Sequence, residues 1–291
     1  MSAPRTLKAL LGTYPYTAPL KTGAVKSDKF AIEFTEIVPV WDGFKGMIRE
    51  NKYDFSEMAI VTYLLARAYG KKFALLPAAM TGRFQHPYAI YNASKGELTP
   101  RDLNGKRVGI RSFTTTTGAW IRGILAADYG VDLDSIDWVT FEDPHVAEYP
   151  DTTERASSGK KIVPMLLDGE LDAVLGETSS DPRVKSIFGD PHAEARRWYA
   201  RHKVIPVNHF IVLRADDVRA DPATAREIWR LLQEAKRRAP PPAEPDPAPF
   251  GIEANRRSLQ LIADYIWSQK LIPRPISVDE MFAETRDIVG G

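Results

Sequence analysis

A hydroxyl-rich turn over Arg111–Gly118 has the residue types of an anion-binding site. It holds one arginine, one serine and four threonines, between a predicted strand that ends at Ile110 and a predicted helix over residues 114–129. Backbone N–H groups and the positive end of a helix dipole converge at such a turn, where they can bind a carboxylate or a phosphate. An ordinary threonine N-cap is the alternative. The candidate anion ligands are Arg111, Thr114, Thr115 and Thr116.

Ser56 and Glu57 follow a predicted strand that starts at Tyr53. Ligands of open α/β folds bind at the carboxyl edge of the sheet, so Ser56 is a candidate for substrate binding and Glu57 for acid or base chemistry. The alternative is that Ser56 caps the next helix and Glu57 is a charge in its first turn.

Arg83, His86 and His209 form a second group of candidates. Arg83 and His86 follow the apolar run over residues 73–80, and His209 lies in a strand-like run over residues 202–214. An arginine can hold a carboxylate with two hydrogen bonds, and a histidine can move a proton near neutral pH. We expect the two histidines to approach each other across a hinge, with a structural role as the alternative for each. His145, His192 and His202 are weaker candidates, because they lie in polar loops or on helix surfaces.

Two acidic segments, Glu142–His145 and Glu177–Asp181, follow predicted strands in the second half of the chain. Their side chains should point toward one sheet edge, which makes Glu177 a candidate for substrate binding. Neither segment has the spacing of an HExxH or EF-hand site, and we predict no metal. The sequence has no P-loop, GxGxxG or GxSxG motif, so a standard nucleotide site or a nucleophile elbow is unsupported.

Short apolar runs alternate with helical patterns, which is typical of an α/β fold with a largely parallel sheet. A polar stretch over residues 92–104 separates two such units, and the run over residues 202–214 can return the chain to the first. Strands are predicted over residues 7–11, 31–37, 53–58, 106–110, 138–141, 171–175 and 202–214, and helices over residues 44–48, 114–129, 163–167, 222–238, 253–269 and 278–288. The proline-dense segment 239–250 cannot be helical.

The composition is that of an ordinary globular protein. Its 291 residues are 44% hydrophobic and 26% charged, and 39 basic against 38 acidic side chains leave a net charge of +1, so we predict no nucleic-acid or membrane partner. The absence of cysteine excludes disulfides and thiolate chemistry. No apolar run approaches the roughly 20 residues of a membrane span. The first residues lack the pattern of an export signal, and we predict a cytoplasmic location.

Five segments together form a recognisable pattern: Tyr53–Met58, Gly82–His86, Asp102–Ile110, Asp168–Ala173 and Pro206–His209. This set resembles the 4,5-dihydroxyphthalate decarboxylase family over most of the chain. Many solute-binding proteins share the third and fourth segments, whereas the other three are more specific. Gln85 departs from the pattern, because the family motif has arginine there. The loops over residues 111–117 and 142–155 also differ from the family.

The resemblance implies a type II periplasmic-binding-protein-like α/β fold with two lobes and a ligand cleft between them. Residues 1–92 plus 208–291 would form lobe 1, and residues 93–207 lobe 2. The segments that cross between the lobes would lie near residues 88–95 and 204–210.

The function implied is non-oxidative decarboxylation of a hydroxylated aromatic dicarboxylate such as 4,5-dihydroxyphthalate. The proton donor would be His86 or His209, with Glu57 orienting a histidine or a ring hydroxyl, and Arg83 and Arg111 with the threonine turn would hold the substrate. No organic cofactor is required by this chemistry. The alternative is a solute-binding protein that captures a small carboxylate or oxyanion by closing its lobes. In either case the partner is a small aromatic carboxylate, and the sequence is compatible with a homo-oligomer.

Overall fold

Strands and helices alternate along residues 5–290, the part of the chain that the computed structural model describes. Residues 1–4 and 291, which the predicted lobe 1 includes, lie outside the described residues. The strands are β1 Arg5–Leu10, β2 Phe30–Thr35, β3 Phe55–Ala59, β4 Phe73–Gly82, β5 Ala89–Asn92, β6 Arg107–Ile110, β7 Asp137–Thr140, β8 Glu154–Arg155, β9 Ala173–Leu175, β10 Val184–Ser186 and β11 Val207–Arg214.

The helices connect these strands and cover the sheets. They are α1 Ala18–Lys21, α2 Phe44–Glu50, α3 Ile60–Ala68, α4 Thr116–Tyr129, α5 Ile162–Asp168, α6 Pro191–His202, α7 Ala215–Ala220, α8 Pro222–Arg238, α9 Ile252–Ser268, α10 Val278–Met281 and α11 Arg286–Val289. Within the described residues, no helix is long and apolar enough to cross a membrane.

The strands form two mixed sheets. The first has the order β2-β1-β3-β11-β4, with β1 parallel to β2 and β3 and with β11 antiparallel to β3 and β4. The second has the order β10-β5-β9-β6-β7-β8, with β5 antiparallel to β9 and β10. The antiparallel strands β5 and β11 are the ones that carry the chain into the second sheet and back. The predicted α/β class is confirmed, and two mixed sheets replace the largely parallel one.

The lobe boundaries remain a prediction. The strand Ala89–Asn92 pairs in the second sheet, although the predicted division assigns residues up to 92 to lobe 1. We propose a division near residue 88 and near residue 207, because it follows the two sheets.

Both faces of the first sheet are buried, because its strands alternate apolar side chains between two cores. In β11, Phe210 and Val212 belong to the core under α3 and α9, whereas Ile211 and Leu213 belong to the core under α8. The sheet faces are therefore closed to ligands, and only the strand ends remain for a site.

Two element boundaries differ from the sequence prediction for identifiable reasons. The predicted helix over residues 278–288 is split into α10 and α11, and the hydroxyl of Thr285 between them donates to the buried Leu75 carbonyl at 2.6 Å. The predicted strand over residues 202–214 begins only at Val207. Lys203 has a left-handed backbone with φ of 53°, and Pro206 has no N–H for a strand ladder.

Candidate functional site

A cleft of about 570 Å³ lies between the two sheets. Its volume is in the range of small-molecule sites. The first sheet and its connections contribute Tyr14, Trp41, Phe44, Ala59, Thr62, Thr81, Arg83, Tyr88, Asn208 and His209 to the lining, and the second contributes Arg111, Thr115, Thr116, Thr117, His145, Leu175, Gly176, Glu177 and Thr178.

A buried carboxylate holds a histidine at the wall of this cleft. Glu57 in β3 is fully buried, and its Oε1 lies 2.7 Å from Nδ1 of His209 in the neighbouring strand β11. The same oxygen accepts from the Tyr14 hydroxyl at 2.7 Å, and Oε2 accepts from the Gly12 N–H at 2.9 Å. A carboxylate only accepts hydrogen bonds, so Nδ1 of His209 carries a proton and Nε2 is left for the cleft.

Tyr14 stays a hydrogen-bond donor in this network. Burial, followed by the charge of Glu57, raises the pKa of its hydroxyl above the ordinary range. The proton therefore remains on Tyr14 at neutral pH and satisfies one lone pair of the buried carboxylate. No local sequence pattern singles out Tyr14, because it is 43 residues from Glu57 along the chain.

His145 also lines the cleft, although its position in a polar loop made it a weak candidate. Its Nδ1 lies 2.8 Å from the Thr62 hydroxyl, and the Phe44 ring packs edge-on against both His145 and His209 at centroid distances of 6.0 and 5.1 Å. Burial, with the nearby charge of Arg111, lowers the pKa of His145 to about 3. This imidazole is neutral at pH 7 and can donate or accept a hydrogen bond without carrying charge.

Two arginines line the cleft, Arg83 from the first sheet's connections and Arg111 from the second's. Arg83 stacks its guanidinium over the Tyr88 ring at 4.1 Å and donates to the Thr117 hydroxyl at 3.2 Å. Arg111 lies 3.9 Å from Glu142, which is too long for a hydrogen bond, so its donors are available to a ligand. Burial raises the pKa of Glu177 on the same side of the cleft.

The threonine turn is partly used by the protein itself. Thr116 accepts from the Val61 N–H at 3.2 Å, and Thr117 accepts from Asn208 and Arg83. Thr115, the residue before α4, lines the cleft, and its hydroxyl has no hydrogen-bond partner among residues 5–290. Thr114 is buried beneath the turn and does not line the cleft, unlike the expectation from sequence.

His86 and Ser56 do not line the cleft. His86 is 1% exposed, with its ring 4.9 Å from Phe188 and 6.1 Å from Trp198, and burial lowers its pKa to about 4. The expected approach of His86 to His209 is not observed. Ser56 is fully buried and donates to the Glu57 carbonyl, because β3 continues to Ala59 and residue 56 is not at the strand end.

Gln85, where the family motif has arginine, links the two segments that cross between the sheets. Its Nε2 donates to the Asn208 Oδ1 at 2.8 Å and to the Arg83 carbonyl at 2.9 Å. Gln85 is fully buried, so an unpaired charge at this position would be costly. Within the described residues, no cluster of three or more His, Asp or Glu side chains is placed to hold a metal ion.

Several solved structures share the fold of this chain. The sulphonate-binding protein SsuA of Escherichia coli aligns with a TM-score of 0.61 at 12% identity, over 97% of this chain and 99% of that chain. SsuA of Xanthomonas axonopodis pv. citri, bound to MOPS, aligns with a TM-score of 0.52 at 14% identity, over 97% and 99%. The desulfurization enzyme DSZB aligns with a TM-score of 0.50 at 12% identity, over 98% and 99%. The predicted type II periplasmic-binding-protein-like fold is confirmed.

Two sequence relatives carry the same name. The 4,5-dihydroxyphthalate decarboxylase of Comamonas testosteroni is 28% identical over 298 residues, which cover 95% of this chain and 90% of the relative. The 4,5-dihydroxyphthalate decarboxylase of Pseudomonas putida is 28% identical over 209 residues, 66% of this chain and 81% of the relative. No model of a protein family matches the chain. These two relatives confirm the resemblance of the chain to the 4,5-dihydroxyphthalate decarboxylases.

Proposed function

We propose that this protein is a non-oxidative decarboxylase of a hydroxylated aromatic dicarboxylate, with 4,5-dihydroxyphthalate as the first substrate to test. The observation that carries the proposal is the His209–Glu57 pair at the cleft wall. Binding a carboxylate does not require a buried carboxylate nearby, since its negative charge repels the ligand. A proton donor does benefit from such a partner, because it orients the imidazole and stabilises its charged form. The names of the two relatives agree with this chemistry.

The proton transfer balances with one imidazole. Protonated His209 gives its Nε2 proton to the ring carbon that bears the leaving carboxylate, and the hydroxyl para to that carbon supplies electron density to the ring. The C–C bond to the carboxylate then breaks, its electron pair returns to the ring, and carbon dioxide leaves. The product is 3,4-dihydroxybenzoate when the substrate is 4,5-dihydroxyphthalate. His209 takes a proton from solvent before the next cycle.

The aromatic side chains and arginines of the cleft fit the rest of the substrate. Tyr14, Trp41, Phe44 and Tyr88 offer ring faces and edges to a flat aromatic ligand. Arg83 and Arg111 should hold the carboxylate that stays. An arginine on the leaving carboxylate would stabilise the charged ground state and slow its conversion to neutral carbon dioxide.

The first experiment compares two substrates on the purified full chain. Carbon dioxide release from 4,5-dihydroxyphthalate is expected, and none from phthalate, which lacks the ring hydroxyls. His209→Asn should lower kcat on the order of 100-fold or more, with a smaller effect on ligand affinity. His202→Asn is the matched control, because His202 pairs with Asp128 and does not line the cleft. Absence of carbon dioxide from every hydroxylated phthalate would refute the proposal.

A solute-binding protein is the second candidate, and the fold shared with SsuA is the observation that favours it. On this proposal the cleft captures an aromatic carboxylate or another oxyanion without chemistry. Isothermal titration calorimetry with phthalate and benzoate, run beside the carbon dioxide assay, separates the two functions. Tight binding without turnover of any hydroxylated phthalate would favour the binding protein.

A further inference from the structure

Arg122 in α4 is a fully buried arginine whose described contacts are all neutral. Its Nε donates to the Gln269 Oε1 at 2.9 Å, and its Nη2 donates to the Phe113 carbonyl at 2.8 Å. The Phe113 ring covers the guanidinium face at 4.0 Å. No described carboxylate forms an ion pair with Arg122. A buried charge without a counter-charge is costly, so a position that keeps one calls for an explanation.

The free end of this guanidinium points toward the first turn of α4. Nη1 has no hydrogen-bond partner among the described residues, and it lies 3.3 Å from the position that a Cβ on Gly118 would occupy. The Thr115 hydroxyl is 2.9 Å from that same position, so the two atoms are within about 6 Å of each other, the sum of these distances. The Ile110 Cδ1 lies 2.1 Å from that position, so glycine at residue 118 leaves room for this methyl group beside the two polar atoms.

Thr115 connects this charge with the cleft. Thr115 lines the cleft at the N-terminus of α4, where free N–H groups and the helix dipole favour an anion. Burial lowers the pKa of Arg122 to about 9, so the guanidinium is charged at pH 7. Among the titratable groups, Tyr149 and then Asp151 act on the guanidinium, and both raise its pKa. Because the charge is buried, salt screens its field only weakly.

We infer that Arg122 is a positioning residue for the ligand: its buried charge acts through the first turn of α4 to place a carboxylate at Thr115. The bound anion adds a counter-charge beyond the field of Asp151, since the groups that Arg122 bonds directly are neutral. This inference rests on the proposed function only in taking a carboxylate as the ligand. It predicts that the cleft prefers anionic over neutral aromatic ligands, and that this preference depends on a residue that never touches them.

The test measures affinity by calorimetry for phthalate and for catechol, a neutral aromatic probe. Arg122→Gln keeps hydrogen-bonding groups but removes the charge, and should weaken phthalate binding about tenfold while catechol binding changes little. A tenfold effect is that of a unit charge about 12 Å away at an effective dielectric constant near 20. Arg122→Lys keeps the charge and should stay within about threefold of the wild type. Arg67→Met is the matched control, since Arg67 in α3 pairs with Glu284 and does not line the cleft.

The outcomes separate this inference from the proposed function. Equal losses for phthalate and catechol in Arg122→Gln, or an equal loss in Arg122→Lys, would show a structural role and overturn the inference. Failure of the wild type to bind phthalate or benzoate would overturn it as well. Wild type that binds phthalate but releases no carbon dioxide from any hydroxylated phthalate would overturn the decarboxylase alone. If Arg122→Gln does not fold, the Arg122→Lys affinity still decides between charge and geometry.

Discussion

Replacing Glu57 by glutamine removes one charge from a fully buried side chain and changes one of its two oxygens into a donor. Tyr14 and His209 both bond to Oε1, whereas the Gly12 N–H bonds to Oε2. The best placement of the amide keeps its oxygen at Oε1 and turns its NH₂ against the Gly12 N–H. In the opposite placement the NH₂ faces Tyr14 and His209, so the Tyr14 hydroxyl must accept and Nδ1 of His209 must give up its proton. The variant therefore either leaves the Gly12 N–H without an acceptor or forces His209 into its other tautomer.

The cost follows from that geometry. Losing a hydrogen bond to a charged acceptor, with a buried donor left unsatisfied, should lower the free energy of unfolding by about 1.5–3 kcal/mol. Turnover should fall further, on the order of 100-fold, because the neutral amide no longer stabilises protonated His209 in the proposed reaction. Ligand affinity should change less than kcat, since Glu57 does not itself line the cleft.

Urea unfolding and carbon dioxide release measure the two effects separately. Glu227→Gln is the matched control: Glu227 is 7% exposed and pairs with Arg230 in α8, away from the cleft, so its loss should leave kcat unchanged. A Glu57→Gln variant whose free energy of unfolding is within about 0.5 kcal/mol of the wild-type value, and whose kcat is that of the wild type, would refute the reasoning. A stability loss without a loss of kcat would restrict Glu57 to a structural role.

Arg111→Ala should weaken phthalate binding by about 1.5–3 kcal/mol, as for a charge-assisted hydrogen bond, and unchanged affinity in calorimetry would exclude Arg111 from the ligand site. The folded-state pKa of His86 is about 4, below its ordinary 6.5, so the unfolded chain binds the extra proton and stability is lost as pH falls from about 6.5 to 4. His86→Leu should flatten that dependence in urea unfolding at several pH values while kcat is kept, and a large loss of kcat would return His86 to the list of proton donors. Gly123→Ala should lower the thermal midpoint, because a Cβ there would lie 2.1 Å from the Tyr265 ring and overpacking costs about 1–3 kcal/mol; an unchanged midpoint would contradict this packing.

The sequence predicts best where local signals decide. The bounds of α8 follow from Pro222 at its start and the proline-dense loop after Arg238, and the structure has the helix over those residues. Arg111 and Glu177 line the cleft because each follows one of the parallel strands β6 and β9, which end at the same sheet edge. Arg83 follows β4 of the first sheet in the same way.

Long-range packing explains what the sequence could not predict. His145 lines the cleft and His86 does not, which is the reverse of the expectation from sequence. No neighbouring residue in the sequence indicates which of the two is buried in an aromatic core. Phe188 and Trp198, which cover His86, are about 100 residues further along the chain. His145 reaches the cleft through contacts with Thr62 and Phe44, which belong to the other half of the protein.

The two walls of the cleft come from separate stretches of chain. Glu57 and His209 belong to the first sheet, whereas Arg111, Thr115 and Glu177 belong to the segment inserted between β4 and β11. Mutations that reshape the inserted wall leave the strand register of Glu57 and His209 untouched. Related proteins can therefore diversify the ligands they accept by exchanging one continuous stretch of gene. The Glu57–His209 pair, which we propose moves the proton, is kept unchanged in such an exchange.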